Sequence, residues 1–187
     1  MRQYDPNHVA FADRLAGGPV HYLRCTHRND NDFARSAEVV IVQSLIHDMH
    51  TVHWLAGSIT EVDARGVPGP NGLDHIVLHL RLASGISASI EFSDRGPGYS
   101  VDVEASTPGG LLRVTDAPPS PNWFAWFADA YRIQDRAWVD SLSADEAVGP
   151  SAADGLAAQL VAAAAVESLE YGRPVAVDGD PSGSGGT

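Results

Sequence analysis

Between residues 58 and 114, short apolar stretches follow one another too closely for helices to stand between them, and this limits the fold more than any other feature. Residues 58–67, 74–83, 86–92, 99–106 and 111–114 each carry strand-like patterning, with Ile59, Val62 and Ala64 spaced through the first. They are parted by Pro68-Gly69-Pro70-Asn71-Gly72, Ser84-Gly85, Gly96-Pro97-Gly98 and Gly109-Gly110. A parallel crossover needs about a dozen residues or more, so hairpins and an antiparallel meander are predicted. Ile76, Val77, Leu78 and Leu80 suggest strands apolar on both faces. If helices cover one face, the other is expected to pack in a homodimer or tetramer.

The flanking segments supply those helices. Asp5 caps and Pro6 begins a helix that runs to Ala16 and closes at Gly17-Gly18. Residues 19–29 predict a strand with Val20, Tyr22 and Arg24 on one face and His21, Leu23, Cys25 and His27 on the other. A polar loop over 30–38 comes next, of the kind that lies over a site. Val39-Val40-Ile41-Val42 reads as a buried strand feeding a helix over 43–55, capped by Ser44 and ended by Gly57. Leu45, Met49, Val52 and Leu55 fall on its apolar side, and His47, His50 and His53 along another flank.

After a turn-rich break at 118–122, Phe124, Phe127, Ala130, Tyr131, Ile133, Ala137, Trp138 and Leu142 predict an amphipathic helix over 123–142 that starts at Trp123. A connection over 145–151 leads to an alanine-rich helix over 152–171, closed by Gly172. A short strand over 174–177 and a disordered Gly/Ser-rich tail over 178–187 complete the chain. The expected fold is α+β: an open, mostly antiparallel β-sheet with helices on one face, in a single domain over 1–177.

Charge and motifs narrow the function. The net charge of −12 disfavours nucleic acid and anionic membrane surfaces. One cysteine, Cys25, excludes an internal disulfide and reads as a small buried hydrophobe. Without a run of about 18 apolar residues or a signal-like start, the expectation is a cytoplasmic protein that spans no membrane. No glycine-rich strand-to-helix turn, Walker loop or Gly-x-Ser-x-Gly elbow is present. The i, i+3 histidines lack the zinc pattern of i, i+4 with a glutamate, so no metal is expected, and His50 and His53 read equally as helix-surface histidines.

Several short motifs occur in one order: Met1-Arg2-Gln3-Tyr4-Asp5-Pro6, His27-Arg28-Asn29, Ser44-Leu45-Ile46-His47-Asp48 with Trp54-Leu55, Asp129-Ala130-Tyr131-Arg132, and Gly149-Pro150-Ser151 with Asp154-Gly155. Over residues 1–177 the chain resembles the carboxy-terminal domain of the Gfo/Idh/MocA oxidoreductases, and within them is most similar to inositol 2-dehydrogenases. The resemblance implies that an amino-terminal Rossmann domain holds NAD or NADP while this half holds the sugar or polyol and builds the oligomer interface. It also implies that Met1 matches an internal methionine. The expectation is then a lost first half, a late start, or a separate Rossmann subunit; this chain alone would bind no cofactor.

In such enzymes a lysine of the Rossmann domain, an aspartate, and a histidine four residues later cooperate, the histidine removing a hydroxyl proton as hydride leaves. His47 takes that histidine's position, and Gln43 stands where the aspartate would be. His50 replaces a second acidic position. His27 and Asn29 match a pair that contacts substrate hydroxyls, and Tyr99 lies near a family tyrosine. The resemblance therefore implies catalytic His47 and substrate-binding His27, Asn29, Gln43, His50 and Tyr99, with hydride transfer beyond the chain alone. Two other functions stay open: a cofactor-independent isomerase, dehydratase or cyclase using the histidines for proton transfer, and a non-catalytic scaffold. The plainer reading of His27 and Asn29 is a strand-end turn, and of His47 a helix-start histidine bonded to a carbonyl.

Overall fold

The computed structural model describes residues 1–16, 18–30, 35–69, 72–114, 119–144 and 146–178. The chain order is α1 (Pro6–Leu15), β1 (Tyr22–Asp30), α2 (Ala37–Val40), a π-helical segment (Ile41–Leu45), α3 (Ile46–Ala56), β2 (Ile59–Gly69), β3 (Gly72–Leu82), β4 (Ser87–Ser93), β5 (Arg95–Thr107), β6 (Gly110–Arg113), α4 (Trp123–Trp126), α5 (Ala128–Ala144), α6 (Ala152–Tyr171) and β7 (Val175–Ala176). This is the expected α+β fold. Parts of the predicted turns at 68–72 and 118–122, of the 30–38 loop and of the 145–151 connection lie outside the described residues, as does the tail from 179 onward.

The sheet runs β6-β5-β1-β4-β3-β2-β7. It is not the predicted meander. β2, β3 and β4 pair antiparallel in sequence order, but β1 then intervenes, parallel to β4 and antiparallel to β5. The hairpin expected at Gly96-Pro97-Gly98 does not form; those residues lie inside β5, which pairs with β1 instead of β4. Gly98, at φ 141°, brings β5 against residue 120, where a Cβ would sit 2.8 Å from the Ser120 carbonyl oxygen. Local turn signals could not reveal this placement, since a strand from early in the chain takes the central position.

Register assigns the two faces. Leu23, Cys25, Ile76, Leu78, Leu80, Ile90, Phe92, Val103 and Ala105 are buried in the core beneath the helices. Ile76, Leu78 and Leu80 thus share one face, and of the four residues that suggested strands apolar on both sides only Val77, half-buried and paired with Glu91, falls on the other. The opposite face carries cross-strand polar pairs: Tyr22 donates to Ser89 at 2.6 Å, and Arg24 pairs with Glu91 at 3.0 Å. Arg81–Glu61 and Arg28–Asp102 extend the ladder.

Asp5 caps α1 by accepting from the His8 amide. Residues Val39 to Val42, predicted as strand, are helical. Ser36, not Ser44, supplies the cap, accepting from the Val39 amide. Burial at Val40, Ile41, Ser44, Leu45, Asp48, Met49 and Val52 traces a helical stripe that overrides the β preference of the valines. Gly57 ends α3 with φ 93°.

The predicted helix over 123–142 breaks at Phe127, between α4 and α5. Phe127 and Ala130 are buried, whereas Ile133, Trp138 and Leu142, expected on a core face, are exposed. At 20 residues α6 is long and apolar enough to cross a membrane by composition, although the sequence pattern suggested no such stretch. Its stripe of Ala157, Ala158, Val161, Ala162, Ala165 and Ser168 is instead buried, small enough for close packing on β2. Ser168 Oγ ties the two, accepting from the Ala64 amide and donating to the Arg173 carbonyl.

Candidate active site

The π-helical segment occupies the point where α2 passes into α3. A π turn holds one residue more than an α turn, which rotates the next helix about its axis, and such insertions often mark functional sites. Gln43 and Ser44 on that segment and His47 on the first turn of α3 line a cavity of about 410 Å³. The other walls come from His27 and Asn29 of β1, Arg35, Tyr99 of β5, Trp123, Tyr131 and Met1. His27, Asn29, Gln43, His47 and Tyr99, far apart in sequence, therefore meet. His50 does not join them. It lies half-buried on α3, its Nε2 without a partner among the described residues. His53 faces a crevice beside Ala157 and Val161 of α6. The three histidines thus diverge, and among the described residues no group of three His, Cys, Asp or Glu side chains is placed to hold a metal.

Behind the cavity lies a buried polar chain. Arg2 donates to Asp48 Oδ1 at 2.6 Å and to Thr51 Oγ1 at 3.1 Å. His27 Nδ1 lies 2.8 Å from Asp48 Oδ2, and the Thr51 hydroxyl donates to the His47 carbonyl. Burial alone would push the Asp48 carboxyl up, but Arg2, then His27, outweigh it and hold it well below the usual carboxylate range. Burial and then the Arg2 guanidinium lower His47 to about 4. Although the His47 ring is open to the cavity, it is uncharged at neutral pH. Burial pushes the Tyr99 phenol up to about 12, so it stays a donor. Arg35 completes the wall, bound to Asp94 at 2.6 Å and to Ser44, its guanidinium over the Phe92 ring.

Asp48, Arg2 and Arg35 were given no role by the sequence. Asp48 stood inside a recognised motif, yet its partners are 46 and 21 residues away. Trp123 and Tyr131, read as helix positions, form the aromatic end of the cavity.

The side chains suit a polyhydroxylated ring: fixed donors and acceptors, aromatic walls, and cations matched by carboxylates. The N-termini of α1, α2, α4 and α6 carry their own side-chain caps, Asp5, Ser36, Asn122 and the Ser151–Asp154 box.

The depressed histidines set a pH dependence. His47 titrates near 4 in the fold and at about 6.5 unfolded, and burial likewise lowers His8 and His50. Between those values the unfolded chain binds more protons, so stability is full above about pH 6.5 and falls as pH drops toward 4. Asp48 keeps its charge throughout that window. Urea midpoints measured from pH 7 to 4 should decline, and His47→Gln should flatten the curve; a midpoint that rises on acidification would contradict this.

A family model described as the GFO/IDH/MocA C-terminal domain matches residues 13–111. The chain is similar to inositol 2-dehydrogenase of Rubrobacter xylanophilus, 34% identical over 206 residues that take in 95% of this chain and 58% of that protein. It is also similar to inositol 2-dehydrogenase 1 of Saccharopolyspora erythraea, at 31% identity, 95% and 60%. The chain thus spans little more than half the length of these relatives. Among solved structures it matches, with a TM-score of 0.88, myo-inositol dehydrogenase from Lactobacillus casei in complex with NAD(H) and myo-inositol, at 24% identity over 95% of this chain and 60% of that one. The scyllo-inositol dehydrogenase from the same organism, with NAD(H) and scyllo-inositol, gives 0.84 at 21% identity, over 95% and 63%. At such identities the likeness is one of fold.

Proposed function

Given that the chain belongs to the GFO/IDH/MocA family as a C-terminal domain, we propose that it is the substrate-binding domain of an NAD(P)-dependent dehydrogenase of cyclitols or related polyols. The observation that carries this reading is the convergence of His27, Asn29, Gln43, His47 and Tyr99 on one cavity of about 410 Å³, a size that suits a small ring. NAD or NADP, held by a nucleotide-binding domain in the same or another polypeptide, would supply the hydride acceptor. This domain binds and orients the hydroxyls, and His47, uncharged at neutral pH, takes the hydroxyl proton. Hydride transfer is then beyond these residues alone. The polar ladder on the open sheet face fits a second copy of the chain, in a homodimer or tetramer.

Thermal unfolding with and without myo-inositol, its epimers, alditols and aldoses tests the reading. Ligand at about a hundred times its Kd stabilises by about 2.7 kcal/mol, which for a chain of this size raises Tm by about 5–10 °C. No shift with any polyol, in the presence or absence of NAD and a nucleotide-binding domain, would overturn it.

A further inference from the structure

We propose that Asp48, backed by Arg2, is a positioning residue that fixes the proton of His27 on Nδ1, so that Nε2 presents a bare lone pair to one hydroxyl of the molecule in the cavity. This rests on the reading that the cavity takes a polyhydroxylated ring. An ionised carboxylate can only accept hydrogen bonds. With Nδ1 2.8 Å from Asp48 Oδ2, the hydrogen between them must therefore belong to the imidazole. Asp48 cannot turn away, because Arg2 holds its other oxygen at 2.6 Å and is itself tied to Thr51.

The ring is clamped as well. His27 is 3% exposed, with Phe92 and Tyr99 meeting it edge-on at centroid distances of 5.4 and 5.3 Å. Its Nε2 is buried with no partner among the described residues, while the residue lines the cavity. A buried polar atom left unmatched on one side of a built site calls for a donor from outside, and a ligand hydroxyl is such a donor. Tyr99 and Arg35, which carry donors, line the same space, and Asn29, Gln43 and Ser44 can act either way. His27 is then the lining group committed to accepting, and it selects for a hydroxyl at one ring position and configuration. A deoxy analogue or epimer that leaves Nε2 unmatched should bind about 10–100-fold more weakly.

Nitrogen-15 NMR of the histidine rings in the ligand-free wild-type protein reads the tautomer directly. The expected result is a neutral His27 protonated on Nδ1; an Nε2–H or doubly protonated ring would overturn the proposal. In Asp48→Asn the carboxamide can donate to Nδ1, so the proton should move to Nε2 and affinity for the preferred cyclitol should fall about 10–100-fold with the circular dichroism spectrum unchanged. Should that variant fail to fold, His27→Phe removes the acceptor and fills its space. It should abolish the discrimination between the cyclitol and its deoxy analogue, and retained discrimination would overturn the proposal. If no cyclitol binds the wild type, the proposed function fails, while the tautomer still decides the role of Asp48.

Discussion

Asp48→Ala is expected to lower the free energy of unfolding by about 3–5 kcal/mol, the loss typical of removing one partner from a buried ion pair. Asp48 is fully buried and Arg2 nearly so, and the two are joined at 2.6 Å. Without the carboxylate, the guanidinium keeps its charge in a place closed to water, with Thr51 as a remaining acceptor. His27 loses its Nδ1 partner in the same step, and truncation leaves a void beneath α3. Small domains are stable by only about 5–15 kcal/mol, so this one change would bring the protein close to unfolding at moderate temperature. Arg2→Met, which keeps much of the volume and leaves the carboxylate its contact with His27, should cost less than Asp48→Ala. Urea or guanidinium titrations of the three proteins measure the difference, and a loss under about 1 kcal/mol for Asp48→Ala would show that water reaches the pair.

How much of the fold and the site was legible in the sequence depends on whether the signal is local. Asp5 as a cap, Gly57 as a terminator, and Leu45, Met49 and Val52 as a buried stripe are set within a few residues, and the structure has each of them. The order of short motifs carried the family resemblance even though none spoke alone. Val39 to Val42 misled because four β-branched residues in a row weigh on strand propensity, whereas Ser36 ahead and the 3.6-residue burial stripe behind them decide for helix. The entry of β1 between β4 and β5 joins residues some 60 to 80 apart in the chain, and no turn signal encodes that. The Arg2–Asp48–His27 chain escaped for the same reason: each member reads as an ordinary polar residue until the strand, the helix and the N-terminal turn are brought together.

In a dehydrogenase assembled from this domain and a nucleotide-binding domain, His47→Ala is expected to reduce kcat about 10²–10⁴-fold, the usual contribution of a positioned general base, with a much smaller effect on polyol affinity. Affinity should persist because His27, Asn29, Gln43, Arg35 and Tyr99 also line the cavity. The base that remains in the wild type is a restrained one. Burial and the Arg2 guanidinium hold it near 4, so it is free to accept a proton at neutral pH but pulls on that proton weakly. A carboxylate at position 43 would shift that balance, since a nearby negative charge favours the protonated imidazole; the amide of Gln43 does not. Gln43→Asp should therefore raise the His47 pKa and bring it closer to the pH of the reaction, which the acid limb of a kcat profile would register as a shift to higher pH. Steady-state rates for a cyclitol substrate, with NAD saturating, provide the measurement. Unchanged kcat in His47→Ala would remove His47 from the chemistry and return it to an ordinary residue of the first turn of α3.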